Sequence, residues 1–173
     1  EPVKKILQVP GTIFADPEKT RKNEKWYLDF VFPKFDGKKK VILSILDRDT
    51  DYFMAKEVGS REHKKLVRTL EEIFPVAGVP NTISADREFD SELLDELAQK
   101  YGFSIELLPR ESPHVNLVER KHKDMKEIWA VNRKWSLNDV VNQMNKFKKI
   151  GGIKSLQSPS YLFQKNMRSE IID

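Results

Sequence analysis

The chain opens without a regular pattern of apolar and polar positions. Pro2, Pro10, Gly11 and Pro17 interrupt residues 1–25, and Lys19–Lys25 is charged, so this stretch reads as an arm or linker ahead of a folded core over residues 26–173. Order begins at Trp26. The segment Trp26–Phe32 is aromatic and β-branched and stops at Pro33, as a strand does. Asp36-Gly37 signals a hairpin turn. Val41–Leu46 is almost continuously apolar, as expected of a strand buried on both faces, and Tyr52–Val58 reads as a third strand. Short turns between the three imply an antiparallel meander.

The period then changes from two to that of a helix. Leu66, Val67, Leu70, Ile73 and Phe74 share one face of a helix predicted over Arg61–Phe74, capped by Ser60 and ended by Pro75 and Gly78. A short strand, Thr82–Ala85, precedes a helix near Ser91–Lys100 with Leu93, Leu94, Leu97 and Ala98 inside and Gly102 at its end. Phe103–Leu108 is a further strand and Pro109–Val115 a loop. Helices follow at about Asn116–Val131 and Leu137–Lys149; Gly151-Gly152 breaks the chain, and Ser158–Phe163 forms a last short helix. Alternation of helix and strand after a meander implies parallel strands with right-handed crossovers. The expected fold is α/β, a five-stranded mixed sheet flanked by helices.

Composition narrows the chemistry. The 173 residues contain no cysteine, which excludes a disulfide scaffold, a thiolate zinc site and a cysteine nucleophile. With 31 Lys and Arg against 27 Asp and Glu, the net charge of +4 leaves nucleic acid open as a partner. No apolar run is long enough to span a membrane, so no membrane partner is expected.

Three carboxylates occupy unusual positions. Asp29 interrupts an apolar strand, where a charge costs free energy unless a metal ion or solvent compensates it. Asp86 ends a predicted parallel strand, the edge at which α/β sheets bind ligands, although turn and cap aspartates are common there. Glu119 opens a helix, and Asn116-Leu-Val-Glu119 also has the spacing of a capping box. Together the three could hold two hard divalent cations. Lys123 and Lys126 share the helical face of Glu119, either as solvated ion pairs or as phosphate ligands, while Val118, His122, Met125 and Trp129 form a separate stripe suited to the core. Asp47, Asp49 and Asp51 read as a polar turn, because a calcium loop would need a glycine and a closing Glu that are missing.

In these pieces the sequence resembles the catalytic core of retroviral and long-terminal-repeat retrotransposon integrases. The matching segments are Trp26-x-x-Asp29-Phe30, Leu46-Asp47-Arg48, Ser84-Ala85-Asp86 with Phe89, Val118-Glu119-Arg120-Lys121 running on to Lys126, and Ser158-Pro159-x-x-Leu162-Phe163, in family order. The resemblance implies a ribonuclease H-like fold and a catalytic, metal-binding triad of Asp29, Asp86 and Glu119. It further implies two Mg²⁺ ions, with Mn²⁺ as substitute, and a DDE-type enzyme that processes element DNA 3′ ends and joins them to target DNA. Lys123, Lys126, Arg120, Asn116 and His114 are the DNA-contact candidates. A homodimer or higher oligomer is expected, acting in the host nucleus or in a virus-like particle before nuclear entry. The interval between Asp86 and Glu119 is 32 residues where the family has 35, and a glycine of the family's mobile loop is absent from Pro113-His114-Val115-Asn116. The flanking zinc-binding and C-terminal DNA-binding domains are missing too, so the chain reads as a core cut from a longer polypeptide. The altered loop supports an alternative, a catalytically inactive, host-adopted core that binds DNA or protein.

Overall fold

The computed structural model describes residues 21–35, 37–109, 112, 114–146 and 158–164. The expectations for residues 1–20, for Asp36, for most of the loop after Pro109, for Phe147–Lys149 and for Gly151-Gly152 lie outside the described residues.

Five strands form one mixed sheet: β1 (Lys25–Val31), β4 (Ile42–Asp47), β5 (Phe53–Glu57), β6 (Thr82–Asp86) and β7 (Ser104–Leu108). Their order is β5-β4-β1-β6-β7. The first three pair antiparallel, and β6 and β7 run parallel to β1. A separate two-stranded hairpin, β2 (Lys34–Phe35) with β3 (Lys38–Lys39), turns at Gly37, whose φ of 76° suits glycine. As the apolar run implies, every residue of β4 is buried.

Strand alternation divides the core into two layers. Trp26, Leu28, Phe30, Leu43, Ile45, Ile83 and Ala85 face α1 (His63–Ala77) and α2 (Glu92–Tyr101). Tyr27, Val31, Ile42, Leu46 and Phe53 face α3 (His114–Val131) and α4 (Leu137–Lys146). The stripe of Val118, Met125 and Trp129 on α3 fills this second layer. On β5, the outer strand, Asn145 of α4 occupies both backbone groups of Phe53, donating to its oxygen at 2.7 Å and accepting from its nitrogen at 2.8 Å. That removes part of the exposed strand edge.

Several local expectations are corrected. α1 begins at His63, two residues later than expected. Ser60 accepts from Glu62 N at 3.4 Å instead of capping the helix, and the N-cap Glu62 makes no side-chain cap bond. Pro75 does not end α1 but lies in its last turn, where only one backbone bond is forfeited, and the helix closes with Gly78 N on Phe74 O at 2.8 Å. Leu93, expected inside, is 36% exposed. α3 opens at His114, two residues early, so His114 and Val115 stand in its first turn and not in a loop. α2 meets expectation: Ser91 accepts from Leu94 N at 3.2 Å, and Gly102 closes the helix in the left-handed conformation.

The residues just before β1 are packed. Asn23, at φ 64°, donates from its backbone to Asp47 and from its side chain to Ala77 O, and accepts from Trp26 Nε1 and Asn81 N. The Asp47–Asp51 turn is polar, as expected, yet Asp47 itself is fully buried. Its carboxylate accepts from Asn23 N and from both the backbone and the hydroxyl of Thr50.

Candidate active site

The sheet brings Asp29 and Asp86 to one end and one face. Parallel pairing matches Tyr27 with Ser84, and extending that register by two residues sets Asp29 opposite Asp86. Both follow the parity of Tyr27, so both lie on the α3 side. Asp86 is the last residue of β6, at the carboxyl end of the parallel strands, and β1 runs two residues beyond Asp29. Glu119 is exposed in the second turn of α3, above this end. Since Asn116 is itself helical, the capping-box reading of Glu119 falls: the carboxylate is past the first turn, where free N–H groups are found.

The electrostatics tie these acids together. The carboxyl of Asp29 is pushed up to about 6, first by burial and then by the negative charges of Asp86, Glu88 and Glu119; one hydrogen bond from Phe30 N opposes the shift. Sequence reading missed Glu88, which a 3₁₀ turn over Arg87–Phe89 carries back beside Asp86. No local pattern marked it, because its return depends on that turn. Glu88 also accepts from Arg61 Nη1 at 3.0 Å.

Two of the acids are turned onto local backbone. Asp29 Oδ1 accepts from Phe30 N at 2.8 Å, and Asp86 Oδ1 from Glu88 N at 2.9 Å. The cap reading of Asp86 therefore holds alongside any other role. Among the described residues no three His, Asp or Glu side chains converge tightly enough to grip a metal ion as they stand. The donor chemistry nonetheless suits a hard divalent cation, being all carboxylate oxygen with two half-buried members, Asp29 and Asp86.

Beside Glu119, an open depression of about 540 Å³ runs along α3, lined by Asn116, Glu119, Arg120, Lys123, Asp124 and Glu127. Three of the expected DNA contacts, Asn116, Arg120 and Lys123, line it; Lys126 does not. Lys123 approaches Glu127 at 3.9 Å, a loose surface pair in place of the Glu119 pair weighed from the sequence. His114 falls at the first position of α3, and its side chain is outside the description.

Behind Glu119 the helix is fixed by polar contacts. Lys121, 11% exposed, meets Asp51 at 2.7 Å. His122, read from sequence as part of the core stripe, is buried, and its Nε2 lies 2.7 Å from Ser44 Oγ. Burial, with the nearby Lys126 charge, lowers its pKa to about 4, so the ring is neutral. Of the two tryptophans bracketing the α3–α4 break, Trp129 is buried and donates Nε1–H to Trp135 O at 2.9 Å, while Trp135 is 37% exposed.

By sequence, no family profile and no curated protein matches the chain. Solved structures do. The magnesium complex of the HTLV-2 integrase catalytic core domain, in a trimeric form, aligns over 83% of this chain and 97% of its own, with 14% identity and a TM-score of 0.66. The catalytic core domain of BIV integrase aligns over 86% and 99%, with 16% identity and a TM-score of 0.71. A simian T-cell lymphotropic virus intasome, in complex with PP2A regulatory subunit B56 gamma, aligns over 90% of this chain and 59% of its own, with 15% identity and a TM-score of 0.72. The chain thus has the ribonuclease H-like fold of the retroviral integrase catalytic core.

Proposed function

We propose that the chain is a metal-dependent polynucleotidyl transferase of the DDE type, which trims element DNA 3′ ends and joins them to target DNA. One observation carries the reading. A half-buried aspartate sits at the carboxyl end of the central strands, its carboxyl raised to about 6 by burial and by the negative charges of Asp86, Glu88 and Glu119. A set of acids gathered together costs stability even with Glu88 paired to Arg61, and bound divalent ions relieve that cost. Two Mg²⁺ ions, with Mn²⁺ as substitute, supply the Lewis acidity that activates the attacking oxygen and steadies the leaving one.

In this reading Asp29, Asp86 and Glu119 hold the ions. Asp29 and Asp86 give up their local N–H bonds to do so, a side-chain rotation with the backbone left in place. Asn116, Arg120 and Lys123, with His114 and Lys126 on the same helix, receive phosphates of the element-end duplex and fix the scissile bond beside the acids. Assembly as a homodimer or higher oligomer presents two ends to target DNA, in the nucleus or in a particle before nuclear entry. The catalytic core takes in Asn23, packed against Asp47 and Ala77, and Lys25, the first residue of β1, so the arm is confined to the residues ahead of them.

The test is strand transfer on end-mimicking duplexes with Mn²⁺. Asp86→Asn and Glu119→Gln are expected to abolish joining while circular dichroism and melting stay as in the parent; joining that persists in either variant refutes the assignment. A second reading, a DNA- or protein-binding core without chemistry, draws on the absence of a converged metal cluster among the described residues. It requires that neither Mg²⁺ nor Mn²⁺ raise the melting temperature of the chain.

A further inference from the structure

The polar contact behind Glu119 lies beside the proposed metal ligands. Ser44 is the direct cross-strand partner of Asp29 in the β1–β4 pairing, and its Oγ reaches Asp29 O at 3.3 Å. The same Oγ lies 2.7 Å from His122 Nε2. Both contacts are satisfied together when His122 Nε2–H donates to Ser44 and the Ser44 hydroxyl donates to the Asp29 carbonyl. His122 follows Glu119 by three residues, less than one turn of α3. The chain of bonds therefore links the backbone of one proposed ligand to the helix that carries another.

Packing alone does not call for these side chains. The neighbours of His122 on its stripe are Val118, Met125 and Trp129, and those of Ser44 in β4 are Leu43 and Ile45, all apolar and buried. A buried imidazole and a buried hydroxyl each cost desolvation unless paired, and apolar contact lacks the directionality of a hydrogen bond. The adjacent Lys121–Asp51 pair at 2.7 Å anchors the same turn of α3 to the β4–β5 connection. We propose that His122 and Ser44 are positioning residues, whose hydrogen bond sets the height and rotation of α3 over β1 and so the separation of Glu119 from Asp29. The proposal rests on the metal-dependent reading above.

The experiment titrates Mn²⁺ into the 173-residue chain and follows the melting temperature, alongside His122→Leu, Ser44→Ala, the double variant and His122→Gln, whose amide can again donate to Ser44. His122→Leu and Ser44→Ala are each expected to raise the Mn²⁺ midpoint about 10–100-fold, as loss of groups that orient metal ligands does. The double variant should be no worse than either single one, and His122→Gln should recover most of the loss. Duplex-DNA affinity should stay near the parent value, and each Mn²⁺ midpoint is read against that variant's own metal-free melting temperature, which the loss of a buried hydrogen bond lowers. A midpoint in His122→Leu and Ser44→Ala equal to the parent's, with the parent responding to Mn²⁺, overturns the positioning role alone; so does additive loss in the double variant. A parent chain indifferent to Mn²⁺ overturns both this role and the functional reading beneath it. Should His122→Leu fold poorly, Ser44→Ala, which removes one oxygen, carries the decision.

Discussion

Replacing Asp29 by asparagine should stabilise the metal-free protein at neutral pH. The native carboxyl is raised from 3.8 to about 6, a shift of roughly two units at about 1.4 kcal/mol each, or about 3 kcal/mol borne by the ionised fold. Partial solvent contact screens some of this, so a gain of about 1–3 kcal/mol is expected. Asparagine keeps the acceptor for Phe30 N and loses the charge. The sign follows from the raised value: above pH 6 the group is ionised in both states and the penalty is complete. As pH falls from about 6 towards 4, the fold takes up its proton before the unfolded chain does, and the penalty disappears. The advantage of Asp29→Asn should therefore be largest at pH 7 and gone by pH 4, measured by urea unfolding of parent and variant in chelator. The difference between the two proteins is the useful quantity, because other groups titrate in the same window. Asp47, also raised to about 6, loses stability with rising pH, while His122, lowered to about 4, loses it with falling pH. Added Mg²⁺ should stabilise the parent and narrow the gap. A variant less stable than the parent at pH 7, or a gain independent of pH, refutes the account of Asp29 as an uncompensated charge.

Two further outcomes test the surroundings. Lys123→Ala should weaken duplex binding and flatten the log–log salt dependence by about 0.9, the value of one lost phosphate contact, as read by fluorescence anisotropy across ionic strength; an unchanged slope returns Lys123 to a solvated surface role. Asp47→Ala should cost about 2–4 kcal/mol in chemical denaturation at pH 4, where the folded carboxyl is protonated and its charge penalty is gone, because Asn23 N, Thr50 N and the Thr50 hydroxyl lose a buried acceptor; a loss under about 0.5 kcal/mol there, the range of an ordinary surface change, contradicts that network.

The sheet was legible because its strands obey simple patterns. The aromatic run of β1 and the unbroken apolar run of β4 announce central strands, and the later helix–strand alternation announces parallel ones. Helix ends were less legible. Pro75 signals a stop by its missing N–H, yet in the last turn that loss is small, and α1 runs on to Ala77. Leu93 sits on the solvent side of α2 because helical spacing defines a stripe but not its width. Asp29 and Asp86 could be placed near one another from strand order alone. Glu88 could not, since only the 3₁₀ turn after β6 folds it back. Ser44 and His122 were each visible as the polar member of an apolar stretch. Their meeting depends on α3 packing over β4, a relation no local pattern contains.

The parity of β1 bears on where the chain tolerates changes of length. Asp29 shares a face with Tyr27 and Val31 because side chains alternate along a strand, while Leu28 and Phe30 point into the opposite layer. Inserting or deleting a single residue between Tyr27 and Asp29 would send the carboxylate into the aromatic layer of Phe30 and Phe89, whose rings stack at 4.9 Å. The connections between Asp86 and Glu119 carry no such parity, and there a deficit of three residues leaves both acids at the same end of the sheet. Homologous chains should accordingly differ in length ahead of α3 and hardly ever within the central strand.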